Sequence, residues 1–123
     1  MLSRPPRPED PERLRQFKAE FFKALAHPVR IAILEHLQRG PRSVGELQSL
    51  TGAAGPSVSQ QLAVLRGRGI VVPERSGTTI RYHAADSEIY VLLDAARQIF
   101  YGHLSDSAEL LRLVEAEQVA AGG

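Results

Sequence analysis

The chain has 123 residues, 43% of them hydrophobic and 24% charged, the length and balance of one folded domain. It contains no cysteine, which excludes disulfides, thiol chemistry and cysteine-ligated zinc. The formal net charge of +1 hides an uneven distribution: residues 39–81 carry net +4 and residues 82–123 net −5. A basic block of this kind suits a polyanion-facing surface, and scattered solvated arginines are the alternative reading.

The opening "MLSRPPRPEDPERL" lacks the apolar core of a signal peptide, and no stretch approaches the ~18 apolar residues of a membrane helix. A cytoplasmic protein with no membrane partner is expected. Residues 1–9, rich in proline and arginine, are predicted to be a disordered arm. Asp10 then reads as an N-cap before Pro11, and Leu14, Phe17, Phe21 and Leu25 form one stripe of a first helix. That stripe suits either the core or a dimer interface. Pro28 ends this helix and starts a second, with His27 in a turn or cap role, Val29, Ile33 and Leu37 on one face, and a stop at Gly40-Pro41.

Ser43 and Glu46 stand at capping-box spacing and start a short third helix that buries Val44, Leu47 and Leu50 before Gly52. A fourth helix is predicted over residues 55–68, with Gly55 as cap, Pro56 as first helical residue and Val58, Leu62 and Leu65 facing inward. Two helices joined by a tight small-residue turn make a helix-turn-helix. The segment 70–84 reads as two strands around a Ser76-Gly77 turn, with Pro73 arguing for a sheet edge. Asp86 caps a fifth helix containing Ile89, Leu92, Leu93, Ala96 and Phe100. A sixth starts with Asp106 and Glu109 at capping-box spacing and presents Leu110, Leu113 and Val114; the end, "VAAGG", is predicted to fray. The expected domain spans residues 10–119, with 120–123 as a disordered tail.

The expected fold is therefore mainly α with a β-hairpin wing, in the order α1-α2-α3-α4-β-β-α5(-α6), a winged helix-turn-helix. Its mechanism is geometric. The major groove of B-DNA admits one α-helix, and the second helix of the pair enters it by its N-terminal half. Ser57, Ser59, Gln60 and Gln61 are short or amide-bearing and suit base edges and phosphates. Gln60 or Gln61 could pair with adenine, for ~1–3 kcal/mol of discrimination. Arg66 and Arg68, with Arg75, Thr78, Thr79 and Arg81 of the wing, suit phosphates. Fold alone leaves a protein-interaction module without specific DNA binding as the alternative. An enzyme is not expected: no Gly-x-Ser-x-Gly elbow, phosphate loop, His-Glu-x-x-His or cysteine nucleophile is present.

Three segments carry a resemblance. "FFKALAHPVRIAILEHL", "SVGELQSLTGAAGPSVSQQLAVLRGRGIV" and "ERSGTTIRYHAAD" are together similar to the ArsR/SmtB family of bacterial repressors, over residues ~14–104. Val58, Ser59, Gln60 and Leu62 match the family's recognition motif. Gly55 and Pro56 depart from it, since the family often has Gln-Ser there. The resemblance implies a homodimer built from the first and fifth helices, through Leu14, Phe17, Phe21, Leu92, Ala96 and Phe100. It also implies binding to an inverted-repeat operator in double-stranded DNA and release by an effector: a metal, a small molecule or a protein co-regulator.

Two family metal sites bear on the effector. One uses third-helix cysteines and cannot exist here. The other uses an aspartate and a histidine early in the fifth helix with two histidines late in the partner's. Asp86 matches the aspartate, Glu88 stands where the first histidine would be, Ile99 and Gly102 occupy the late positions, and His103 is one residue off. From the residues themselves, His83 with Asp86 or Glu88, and His103 of the partner subunit, would suit Ni(II) or Zn(II). Ordinary caps and surface acids are the alternative.

Overall fold

The structure, a computed structural model, describes residues 10–104 and 108–122, with side chains described at 10–102 and 112–120. Six helices and a three-stranded sheet follow in the order α1 (Pro11–Leu25), α2 (Pro28–Leu37), β1 (Arg42–Ser43), α3 (Val44–Thr51), α4 (Gly55–Gly67), β2 (Val71–Ser76), β3 (Thr79–Ala84), α5 (Glu88–Leu104), α6 (Ala108–Gly122). The predicted winged helix-turn-helix is present. The expected arm at 1–9 and the Asp106 cap lie outside the described residues.

The chain divides into two compact units, one through Tyr90 and one from Val91, where the sequence suggested one domain. In the first unit, local chemistry starts each helix. The Asp10 carboxylate accepts the Arg13 N–H at 3.2 Å, and Pro11 opens α1. His27 Nδ1 accepts the Val29 N–H at 3.1 Å, so this histidine is a cap. The capping box of α3 is complete: Ser43 Oγ accepts the Glu46 N–H, and Glu46 Oε1 accepts the Ser43 N–H. Gly52, at φ 70°, closes α3 in the left-handed conformation that favours glycine.

The core of this unit joins Ile33, Leu34 and Leu37 of α2 to Leu47 of α3 and to Val58, Leu62 and Leu65 of α4, capped by Ile70 and Val71. Among the described residues no polar side chain is buried. One expectation is corrected here. Leu50 is 44% exposed rather than part of the core, because α3 is too short to bury more than one turn. Leu14, Phe17 and Phe21 are only half-buried, while α1 buries Ala24 and Leu25 at its far end.

The join from α4 to the wing sets the site's geometry. Gly69 N–H donates to Arg66 O and Ile70 N–H to Leu65 O, with Gly69 at φ 72°. This is a Schellman turn, and its apolar partners Leu65 and Ile70 are both fully buried. The sheet order is β1-β3-β2, so β2 with Pro73 lies on the edge as expected. β1 was not foreseen; its two residues, paired with Tyr82 and Arg81, leave no periodic signal. Ser76 pairs with Thr79, so the hairpin loop is Gly77-Thr78 rather than Ser76-Gly77, and Gly77 at φ 65° takes the position that favours glycine.

Asp86 Oδ1 accepts the Glu88 N–H at 2.9 Å at the start of α5. Tyr90 pins that start: its hydroxyl accepts the Ala84 N–H and donates to Leu37 O, both at 3.2 Å. In the second unit, Arg97 pairs with Glu117 and Tyr101 accepts from Gln118. Val91, Ile99 and Phe100 on α5 and Leu113 and Val119 on α6 are exposed apolar residues. Helix α6 continues to Gly122, which corrects the expected fraying from Val119 and the expected disorder at 120–122; alanines at 120 and 121 extend a helix readily.

Candidate nucleic-acid interface

Helix α4 presents two unlike faces. Val58, Leu62 and Leu65 are turned into the core. Ser59, Gln60, Ala63 and Arg66 are exposed. Ser59, Ala63 and Arg66, with Val44, Leu62, Gly67 and Tyr82, line an open groove between α4 and the wing. Arg66 carries the positive charge of this groove and has no carboxylate within ion-pair distance among the described residues.

Strand alternation sorts the wing. Tyr82 and Ile80 lie on one face of β3, and Arg75 stands directly opposite Ile80. Arg75 therefore shares the sheet face of the groove residue Tyr82. Arg81 and His83 lie on the other face, opposite Glu74 and Val72. Arg75, Thr78 and Thr79 are exposed at the wing's outer end.

Of the residues grouped by sequence as DNA contacts, three are set apart by their partners and a fourth by its burial. Gln61 Oε1 accepts from Arg30 Nε at 2.8 Å, and the same guanidinium donates to Ala24 O at 3.0 Å, so Gln61 ties α4 to α2 and the end of α1. Arg68 meets Glu20 of α1 at 3.4 Å. Arg81 meets Glu46 at 3.0 Å and so joins the wing to the capping box of α3. Ser57 is half-buried in the first turn of α4. Arg30, Tyr82 and the pairing of Glu46 with Arg81 escaped the sequence reading, because they rest on partners 31–35 residues away or across a sheet.

The candidate metal ligands do not assemble within the described residues. His83 Nε2 lies 3.5 Å from Glu74, and its Nδ1 lies 3.0 Å from Ala84 O. Asp86 is occupied with the α5 N–H. The His103 side chain lies outside the described residues, and no group of three metal-ligating side chains occurs among those described.

Two groups have shifted acidities. The Ser43 N–H, aided by Arg81 and the Ser43 hydroxyl and opposed by partial burial, holds the Glu46 carboxyl below its ordinary range. Burial, then Arg42 and Arg39, lower the pKa of His36. Both shifts make the fold less stable in acid. A lowered histidine pKa means that the unfolded chain binds the proton first, so stability falls as pH drops below about 6.5. The Glu46 contribution is present above about pH 4.3 and is lost as pH falls through its lower folded value. His36→Gln is expected to narrow the loss of urea midpoint between pH 7 and pH 5. An unchanged loss would remove His36 from the explanation.

A family model described as a helix-turn-helix domain matches residues 25–74. The HTH-type transcriptional regulator Rv0081 of Mycobacterium tuberculosis is 46% identical over 113 residues, which cover 91% of this chain and 95% of the relative. Its crystal structure superposes with a TM-score of 0.69, covering 76% of this chain and 94% of that one. The HTH-type transcriptional repressor SmtB of the same organism is 40% identical over 86 residues, 69% of this chain and 64% of the relative.

This chain belongs to the ArsR/SmtB family of winged helix-turn-helix transcriptional regulators.

The solution structure of the homodimeric winged helix-turn-helix DNA-binding domain of Mb0332 from Mycobacterium bovis matches with a TM-score of 0.70 at 27% identity, over 88% of this chain and 97% of that one. As an ArsR/SmtB regulator the chain is a DNA-binding transcriptional regulator, and α4 with the β2–β3 wing is the part that corresponds to its DNA-binding motif. Among its described residues no helix is long and apolar enough to cross a membrane.

Proposed function

We propose that this regulator acts as a homodimeric repressor that seats α4 of each protomer in successive major grooves of an inverted-repeat operator. The carrying observation is the division of α4: one face supplies the core and the other, with Arg66, opens onto the groove beside the wing. Ser59 and Gln60 are the base readers, and Arg66 and Arg75 the phosphate contacts. Thr78 and Thr79 add hydroxyls at the wing's end.

The half-buried stripe of α1 and the apolar residues of α5, Leu92, Ala96 and Phe100, are each read as dimer surface. Burying aromatic and leucine side chains would return ~1.5–3 kcal/mol apiece. The dimeric state of Mb0332 supports the same reading. Two-fold symmetry then sets half-sites about one helical turn apart. The work is that of a binding protein rather than an enzyme, and its place is the cytoplasm, where chromosomal DNA is met.

The test is fluorescence anisotropy on duplexes from the gene's own promoter region. A dimer is expected to bind one duplex with an affinity well above that for unrelated DNA, weakening steeply with salt. A folded protein that shows no preference among duplexes at low salt would overturn the proposal.

A further inference from the structure

The leading end of α4 holds a side chain that belongs to another helix. The N-cap of α4 is Ala54, which offers no side-chain bond to the helix, and Gly55 is its first residue rather than its cap. A Cβ placed on Gly55 would lie 2.7 Å from Nε2 of Gln48 and 3.3 Å from its Cδ. The amide of Gln48, projecting from α3, therefore occupies the space that a side chain at position 55 would take. Gln48 is half-buried, and its amide has no hydrogen-bond partner among the described residues. Its carbonyl and NH2 are therefore open to a partner from outside the chain.

We propose that Gln48 is a base-reading residue: its amide, seated over Gly55 at the leading end of α4, pairs with the edge of an adenine in the major groove. The chemistry fits. A glutamine amide offers a carbonyl acceptor and an NH2 donor side by side, the complement of adenine N6 and N7. The position fits as well, since the N-terminal residues of the second helix reach furthest into the groove. Glycine at 55 is what makes room. The inference rests on α4 being the groove-reading helix, as proposed above.

Parent protein, Gln48→Ala and Gly55→Ala are each used to select duplexes from a randomised pool. Each is then titrated against the parent's preferred duplex and its single base-pair substitutions. Gln48→Ala removes the amide. Gly55→Ala keeps it but pushes it aside, and alanine there suits the helix, so the fold is retained. Both variants are expected to lose the preference for one A·T pair in each half-site, with about ten-fold weaker binding to the preferred duplex. Their affinity for unrelated DNA and their salt slope stay unchanged, because no charge is altered. Unchanged base preferences in Gln48→Ala would overturn the assignment. So would a uniform loss on all duplexes, which would mark a backbone contact. A parent that selects no sequence would defeat the groove-reading role of α4 itself, and Gln48 with it.

Discussion

Arg66→Ala and Arg75→Ala are each expected to flatten the dependence of log affinity on log salt by about one unit, and together by about two. Arg66 lines the groove, Arg75 stands on the sheet face that carries the groove residue Tyr82, and neither has a carboxylate partner among the described residues. Each should therefore neutralise a phosphate and release its condensed counterions. Affinity for unrelated DNA should fall as much as affinity for the operator, since phosphates carry no sequence information. Arg68→Ala is the control. Arg68 lies against Glu20, 3.4 Å away, so its charge is already partly neutralised and its removal should move the slope much less. Anisotropy titrations between low and moderate salt decide the matter. Equal changes in all three variants would mean that the groove does not define the DNA surface.

Leu65→Ala is expected to cost about 2–5 kcal/mol, the range for deleting a fully buried leucine and leaving a cavity. Leu65 is 0% exposed and lies beneath the Schellman turn that joins α4 to the wing. Against a total stability of about 5–15 kcal/mol, that loss should lower the melting temperature by about 10–20 °C. It should also weaken DNA binding before the protein melts, because the turn that aims the wing loses the Leu65–Ile70 contact. Leu50→Ala is the comparison. Leu50 is 44% exposed and should cost well under about 1 kcal/mol. Thermal melts by circular dichroism separate the two, and a Leu65→Ala melt within a few degrees of the parent would contradict the packing described here.

The contrast between these leucines shows what was legible in the chain. Helix starts were, because they depend on neighbours in sequence: Asp10 with Pro11, His27 with Pro28, and the Ser43–Glu46 box each bond within three residues. The inward stripe Val58, Leu62 and Leu65 was legible for the same reason, since helical spacing alone puts the three on one face. Leu50 has the same local pattern as Leu47, and only the length of α3 and the position of its neighbours tell them apart. The extension of α6 through Gly122 went the other way: a weak, small-residue end still carries helix-forming alanines.

The DNA-facing residues show the same division more sharply. Residue type by itself determined that this chain carries a helix-turn-helix, a basic wing and a set of serines, glutamines and arginines suited to DNA. Only the tertiary structure decided which of them share a surface. It bonded Gln61 to Arg30, turned Arg68 toward Glu20, set Arg75 and Arg81 on opposite faces of one strand pair, and brought Gln48 over Gly55. The physical reason is range. Caps and stripes are set by bonds and spacings of three or four residues, which a sequence displays directly. A side chain's partner across 31 or 48 residues is set by how the helices pack, and packing is a property of the whole core.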